Sequence, residues 1–205
     1  MTECLPHSEP AGALLWGAVL VGGRSERMGC DKAGIFWAGE VLGERQMGVL
    51  SLCCERVAAA APVRPEWLSG DREWVKDSVC GRGPAAGVLG ALDWLRTGKA
   101  SHVMVLAVDM PLASVGLVSM ILAERLEGRG VVPRCDEGFE PLCACYPVGA
   151  LDYLSAWMAA GEHKMQTLVA RLVEEGWLAE MTLSPSEKLD FFNMNTPEDL
   201  ACLQG

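Results

Sequence analysis

The sequence predicts an α/β fold with a mostly parallel central sheet. Short apolar runs alternate with longer helix-period segments, the pattern of βαβ units. The run HVMVLAV, His102 to Val108, is almost wholly apolar, as expected of a strand covered on both faces. The chain has 205 residues, half of them hydrophobic, with no linker-like stretch to divide the core they can build.

Taken in order, residues 1–12, with Pro6, Pro10 and Gly12, read as a flexible N-terminal extension, and 13–205 as a single domain. The apolar stretch Ala11 to Val21 is too short to span a bilayer and has no Lys or Arg before it, so Leu14–Val21 reads as the first strand rather than a leader. A helix is expected at Glu44–Arg56 and a strand at Val57–Pro62. Gly83 then caps a helix over Pro84–Leu95, with proline at the first helical position. The central strand, His102–Val108, runs into Asp109. Ser114 caps a helix whose stripe is Val115, Val118, Ile121 and Leu122. Strands are expected at Val131-Val132 and Glu140–Pro147, and helices at Gly149–Met158 and Lys164–Glu175. Thr196-Pro197-Glu198-Asp199 has the form of a capping box that opens a last helix.

The formal net charge of -10 argues against a nucleic-acid binder and against a polybasic membrane anchor. The nine cysteines form no C-x-x-C pair, and no zinc spacing joins them to His7, His102 or His163. An odd set of thiols of this kind suits a reducing cytoplasm. Against this acidic background, the turn VGGRSERMGCDK, Val21 to Lys32, stands out for its cations. It is not a nucleoside-triphosphate P-loop, because Gly29 is followed by Cys30-Asp31. No dinucleotide fingerprint fits it either. What remains is an anion site: Gly22 and Gly23 let backbone N–H groups come close, Arg24 and Arg27 can fork onto phosphate oxygens, and Lys32 adds a point charge. The alternative is a solvated turn whose cations balance Glu26 and Asp31.

Asp109 ends the best central strand, the edge where open α/β sheets bind ligands. It suits either a Mg²⁺ ligand or a cap of the turn before Pro111. Gly81-Arg82-Gly83-Pro84-Ala85-Ala86-Gly87 permits close approach at a helix start, or is an ordinary loop and cap. Asn193 and Asn195 could aim amides into a cleft, or simply form a turn.

Together, in fixed order, Gly-Gly-x-x-x-x-Met-Gly-x-Asp-Lys after a strand, Gly-Pro-x-x-Gly, a strand ending Asp-x-Pro and Asn-x-Asn-Thr-Pro resemble the molybdenum cofactor guanylyltransferases, the MobA-like family of nucleotidyltransferases. The resemblance runs from about Leu15 to Leu203. It implies a Rossmann-like three-layer α/β/α nucleotidyltransferase fold, with transfer of GMP from GTP to Mo-molybdopterin and release of pyrophosphate. It implies Mg²⁺ as cofactor. It also admits contacts with molybdopterin-synthesis proteins and molybdoenzyme chaperones, with no nucleic acid and no membrane. Carried over by position, Leu20, Val21, Gly22 and Gly23 line the nucleotide. Arg24, Arg27 and Lys32 meet its phosphates, Asp77 contacts it, and Asp109 holds Mg²⁺. Asn193 and Asn195 border the acceptor side, with Glu140-Pro141 and Glu162-His163-Lys164 in loops nearby. Arg27, Lys32 and Asp109 are the expected catalytic residues. Two departures are visible: Val21 replaces a small alanine, and Ala58–Ala61 stands where the family often has an asparagine. A cytidylyltransferase of the same cofactor, or a sugar-phosphate nucleotidyltransferase, is the alternative within this class. A phosphate acceptor is already an anion at neutral pH, so the transfer needs no general base, and the motifs contain no histidine.

Overall fold

Strand β1 (Leu14–Leu20) has six buried residues in succession. Their side chains alternate between two cores: Leu15 and Val19 on one face, Trp16, Ala18 and Leu20 on the other. A strand buried on both faces belongs inside a parallel sheet. In the computed structural model, which describes residues 14–21, 31–77, 83–184 and 187–202, β1 pairs in parallel with β4 (Arg56–Ala61) on one side and β6 (Ala100–Ala107) on the other. The expected extension at 1–12 lies outside the described residues.

The remaining strands are β5 (Glu73–Lys76), β7 (Gly130–Cys135), β8 (Gly138–Phe139), β9 (Cys143–Pro147) and β10 (Leu178–Thr182), besides a small hairpin of β2 (Phe36–Trp37) and β3 (Glu40–Val41). Among the described residues the main sheet has the order β10-β7-β9-β6-β1-β4-β5, with β8 paired to β7. Helices α1 (Leu42–Ser51) and α3 (Val115–Ala123) pack on one face, against the core of Val19, Met104 and Leu106. Helices α2 (Pro84–Leu95), α4 (Leu151–Ala159) and α5 (Met165–Glu174) cover the other, against Trp16, Val103 and Val105. A short α6 (Pro197–Cys202) follows. The three-layer, mostly parallel architecture is as expected. No described helix is long and apolar enough to cross a membrane.

Several boundaries moved, each for a physical reason. The helix expected at 44–56 ends at Ser51. Arg56 is already the first residue of β4: it forks onto Glu73 at 2.8 and 2.6 Å, and its guanidinium lies 4.1 Å from the Trp16 ring. The strand expected at 140–147 starts at Cys143 and runs antiparallel between β6 and β7. Strands β5 and β10 are not among the expected elements: both are short edge strands, β5 partly exposed throughout and β10 alternating only over Ala179–Thr182. Ser114 does cap α3, its Oγ accepting from Leu117 N–H at 3.1 Å, an interaction worth about 1 kcal/mol.

At the start of β7 the chains come so close that a side chain has no room. A Cβ on Gly130 would stand 2.0 Å from the Cys145 carbonyl oxygen. Gly130→Ala must therefore displace backbone. It should cost about 3 kcal/mol and lower the melting temperature by roughly 6–12 °C, measured by circular dichroism.

Candidate functional site

Strands β5, β4, β1 and β6 are parallel neighbours, so their carboxyl ends share one edge. Backbone bonds continue the sheet past each end. Val108 N–H donates to Leu20 O at 3.1 Å, Val21 N–H to Ala60 O at 3.0 Å and Asp77 N–H to Ala61 O at 3.2 Å. Leu20, Val21, Asp77 and Asp109 are thereby gathered on that edge. Asp77 and Asp109 follow strands three places apart, about 14 Å at the usual strand spacing. That is too far for the two carboxylates to share one cation.

At the Asp109 end, three distant segments meet in one cation. Lys32 Nζ lies 3.4 Å from Asp109 Oδ2 and 3.0 Å from Asn195 Oδ1. The lysine side chain is 13% exposed and the aspartate 29%. Lys32 is aimed by the 3₁₀ turn Lys32–Gly34, which Asp31 caps by accepting from Ala33 N–H at 3.0 Å. The Asp31 carboxylate is thus engaged in the turn that presents Lys32. Asn195 is held from the other side. Asp199 Oδ2 accepts from the N–H groups of Asn195 (2.7 Å) and Thr196 (2.8 Å), while Thr196 Oγ1 accepts from Asp199 N–H at 3.2 Å. This is the reciprocal capping box read from Thr196-Pro197-Glu198-Asp199. Met194 N–H donates to the Asp109 carbonyl at 2.8 Å and fastens the asparagine loop to the Asp109 turn; Asn193 is exposed on the same loop.

At the other end, Asp77 is half-buried and forms no ion pair among the described residues. Its Oδ1 is buried and has no hydrogen-bond partner among the described residues. Desolvation pushes its carboxyl up to about 6. Gly87, in the first turn of α2, allows this close packing: a Cβ there would lie 3.1 Å from Leu20 Cδ2 and 3.6 Å from Asp77 Oδ1. Leu20, Asp77 and Gly87 thus form a tight apolar corner with one unsatisfied acceptor.

Gly22, Gly23, Arg24 and Arg27 lie outside the described residues, as do Gly81 and Arg82. On the far side of β6, Glu140 stands in the turn before β9. Ala107 N–H donates to Leu142 O at 2.7 Å, which keeps that turn at the same sheet edge. Burial, with Glu137 nearby, raises the Glu140 carboxyl, against the Cys135 thiol that donates to it at 2.8 Å. Glu162, His163 and Lys164 lead into α5, whose Gln166 clamps the Phe139 backbone by bonds of 3.1 and 2.8 Å. Sequence reasoning missed Gln46, which is fully buried and donates to the Met110 carbonyl beside Asp109. The available signal was a polar residue on the apolar stripe of α1, between Leu42 and Leu50.

Residues 17–176 match the family model described as the MobA-like NTP transferase domain. The chain belongs to this family. An Opitutus terrae protein described as "Probable molybdenum cofactor guanylyltransferase" is 40% identical over 191 residues, covering 90% of this chain and 92% of that protein. A molybdenum cofactor guanylyltransferase from Cereibacter sphaeroides is 33% identical over 192 residues, covering 91% and 94%. The crystal structure of molybdopterin-guanine dinucleotide biosynthesis protein A from Archaeoglobus fulgidus superimposes with a TM-score of 0.74 at 27% identity, covering 92% of this chain and 96% of that one. The MobA-like segment includes Leu20, Val21, Lys32, Asp77 and Asp109. Asn193 and Asn195 follow it, and the Lys32–Asn195 bond joins them to it.

Asp77 carries a stability signature. Its carboxyl titrates higher in the folded chain than the ordinary 3.8, so protonation favours folding. This contribution is full below about pH 3.8 and is lost as the pH rises through about 6. Asp77→Asn removes it. The urea midpoint of the variant relative to wild type should rise between pH 4 and pH 6 and level off above.

Proposed function

We propose that the chain transfers GMP from GTP to the terminal phosphate of Mo-molybdopterin, releasing pyrophosphate. The observation that carries this reading is Lys32 bridging Asp109 and Asn195, which puts a cation, a carboxylate and an amide from three motifs at one sheet edge. The family and the names of its relatives support the same activity.

The nucleoside takes the corner of Leu20, Asp77 and Gly87, where the unpartnered Asp77 Oδ1 accepts from a hydroxyl or N–H group. The triphosphate then runs along the edge toward Asp109, with the backbone N–H groups of the glycine turn against its oxygens. A phosphate oxygen of the acceptor attacks the α-phosphorus. A new P–O bond forms, the bond to the β-phosphate oxygen breaks, and the electron pair leaves with pyrophosphate. Positioning and charge stabilisation dominate such a transfer. Lys32, Arg24 and Arg27 neutralise the leaving group, and Asn195, tied to Lys32, faces the acceptor with Asn193.

Mg²⁺ fits this residue set. The described residues bring no three His, Cys, Asp or Glu side chains together, so no all-protein cage stands here. A lone carboxylate beside a triphosphate is a usual Mg²⁺ environment. Asp109 would hold the ion, which supplies charge compensation to the phosphate oxygens. Before ligands arrive, Lys32 is the counter-ion of Asp109. The reaction suits the cytoplasm, where the thiols of Cys53, Cys54, Cys135, Cys143 and Cys145 stay reduced.

Pyrophosphate release, assayed with Mo-molybdopterin and each common nucleoside triphosphate in turn, should occur with GTP. Release with CTP and none with GTP would move the chain to the cytidylyl reading. Chelation of Mg²⁺ should stop release and its return should restore it. Lys32→Met and Asp109→Asn should each lower turnover about 10²–10³-fold while the circular dichroism spectrum stays unchanged.

A further inference from the structure

Three consecutive carbonyl groups at the end of β6 are taken by donors from elsewhere in the chain. Asp109 O accepts from Met194 N–H at 2.8 Å. Met110 O accepts from Gln46 Nε2 at 2.5 Å, and also from Ala113 N–H at 3.0 Å. Pro111 O accepts from Arg45 Nε at 3.5 Å. Helix α1 supplies two of these donors from adjacent residues. Arg45 is shared with Glu40, at 3.2 Å, and with the Trp37 ring. Gln46 is different: it is 0% exposed, packed in the same stripe as Leu42, Met47 and Leu50.

Fold stability does not account for Gln46. Its Oε1 is buried with no hydrogen-bond partner among the described residues. A buried amide satisfied at one end only gains little net free energy, because the orphan acceptor offsets the bond that is made. What the bond does is geometric. With Asp109 O and Met110 O both held, the peptide planes on either side of Met110 are fixed, and so is the direction in which the Asp109 side chain leaves the backbone.

We propose that Gln46 is a positioning residue for the transfer. It touches no substrate and acts through the Met110 carbonyl, holding Asp109 where it meets Lys32 and, on the function proposed above, the phosphates and their metal. The nucleoside corner of Leu20, Asp77 and Gly87 lies toward the other end of the edge and does not depend on this bond. Loss of Gln46 therefore acts on the chemical step and spares nucleotide affinity. A misplacement of about 1 Å at a reacting centre costs on the order of 10²-fold in rate.

The test uses the full chain with Gln46→Met and Gln46→Leu, which fill similar volume without a donor. The expected result is a fall in kcat of about 10–10²-fold, a KM for GTP within about twofold of wild type, and a thermal midpoint close to wild type. Hydrogen exchange followed by mass spectrometry should accelerate in peptides covering 107–113 and stay unchanged in α2. Wild-type kcat in both variants with unchanged exchange at 107–113 would overturn the inference. So would a parallel loss of kcat, GTP binding and thermal stability, which would make Gln46 a core residue only. The two readings fail separately. If wild type releases no pyrophosphate from any nucleoside triphosphate, the proposed function falls, and exchange at 107–113 still decides whether Gln46 holds the turn.

Discussion

The site depends on β1 and β6 ending level with one another. Parallel pairing runs Leu15 against His102 through Leu20 against Ala107, and the Val108 N–H to Leu20 O bond extends it one step further. From that point the Asp109 turn leaves β6 beside Val21, which follows β1. It could not be displaced without breaking the central pair, whose residues are buried on both faces. Ligand sites at the carboxyl edge of open α/β sheets follow from this geometry. Here the edge is also closed from outside: Met194 reaches back to the Asp109 carbonyl, and Ser114 Oγ, at the cap of α3, donates to Asp190 Oδ2 at 3.4 Å.

Along this edge two aspartates are in opposite electrical situations. Asp109 is paired with Lys32 and shares that lysine with Asn195. Asp77 has no ion pair among the described residues, and burial raises its carboxyl to about 6. A chain with a formal charge of -10 repels a polyanion at long range, so local cations must do the work of attraction. Among the described residues, Lys32 is such a cation at the Asp109 end. The Asp77 end presents a buried acceptor with no hydrogen-bond partner among the described residues, suited to a hydroxyl or N–H group rather than to phosphate.

Much of this was legible in the residues. The glycine turn with Lys32, the apolar central strand ending in Asp109, the proline-started α2 and the Thr196–Asp199 box were each read from local pattern. Lys32, the central strand with Asp109, α2 and the box are found where local chemistry put them; the glycine turn lies outside the described residues. The edges of the sheet were less legible. Strand β5 is partly exposed throughout, and the alternation of β10 is confined to the short run Ala179–Thr182, so neither stands out as a strand. Gln46 was hidden for the opposite reason. A glutamine on a helix reads as solvated until its neighbours are known, and only the turn that follows β6 supplies the Met110 carbonyl it bonds.

The fold class, the parallel core and the identity of the charged groups are written into the residues, because these rest on burial periodicity, capping and turn chemistry that act over a few residues. Which of those groups meet is set by the folded chain. Lys32, Asp109 and Asn195 are far apart along the chain and converge on one ammonium group. Asp77 is set apart from them by the strand order. Proximity of that kind comes from strand order and helix packing, which no local spacing encodes.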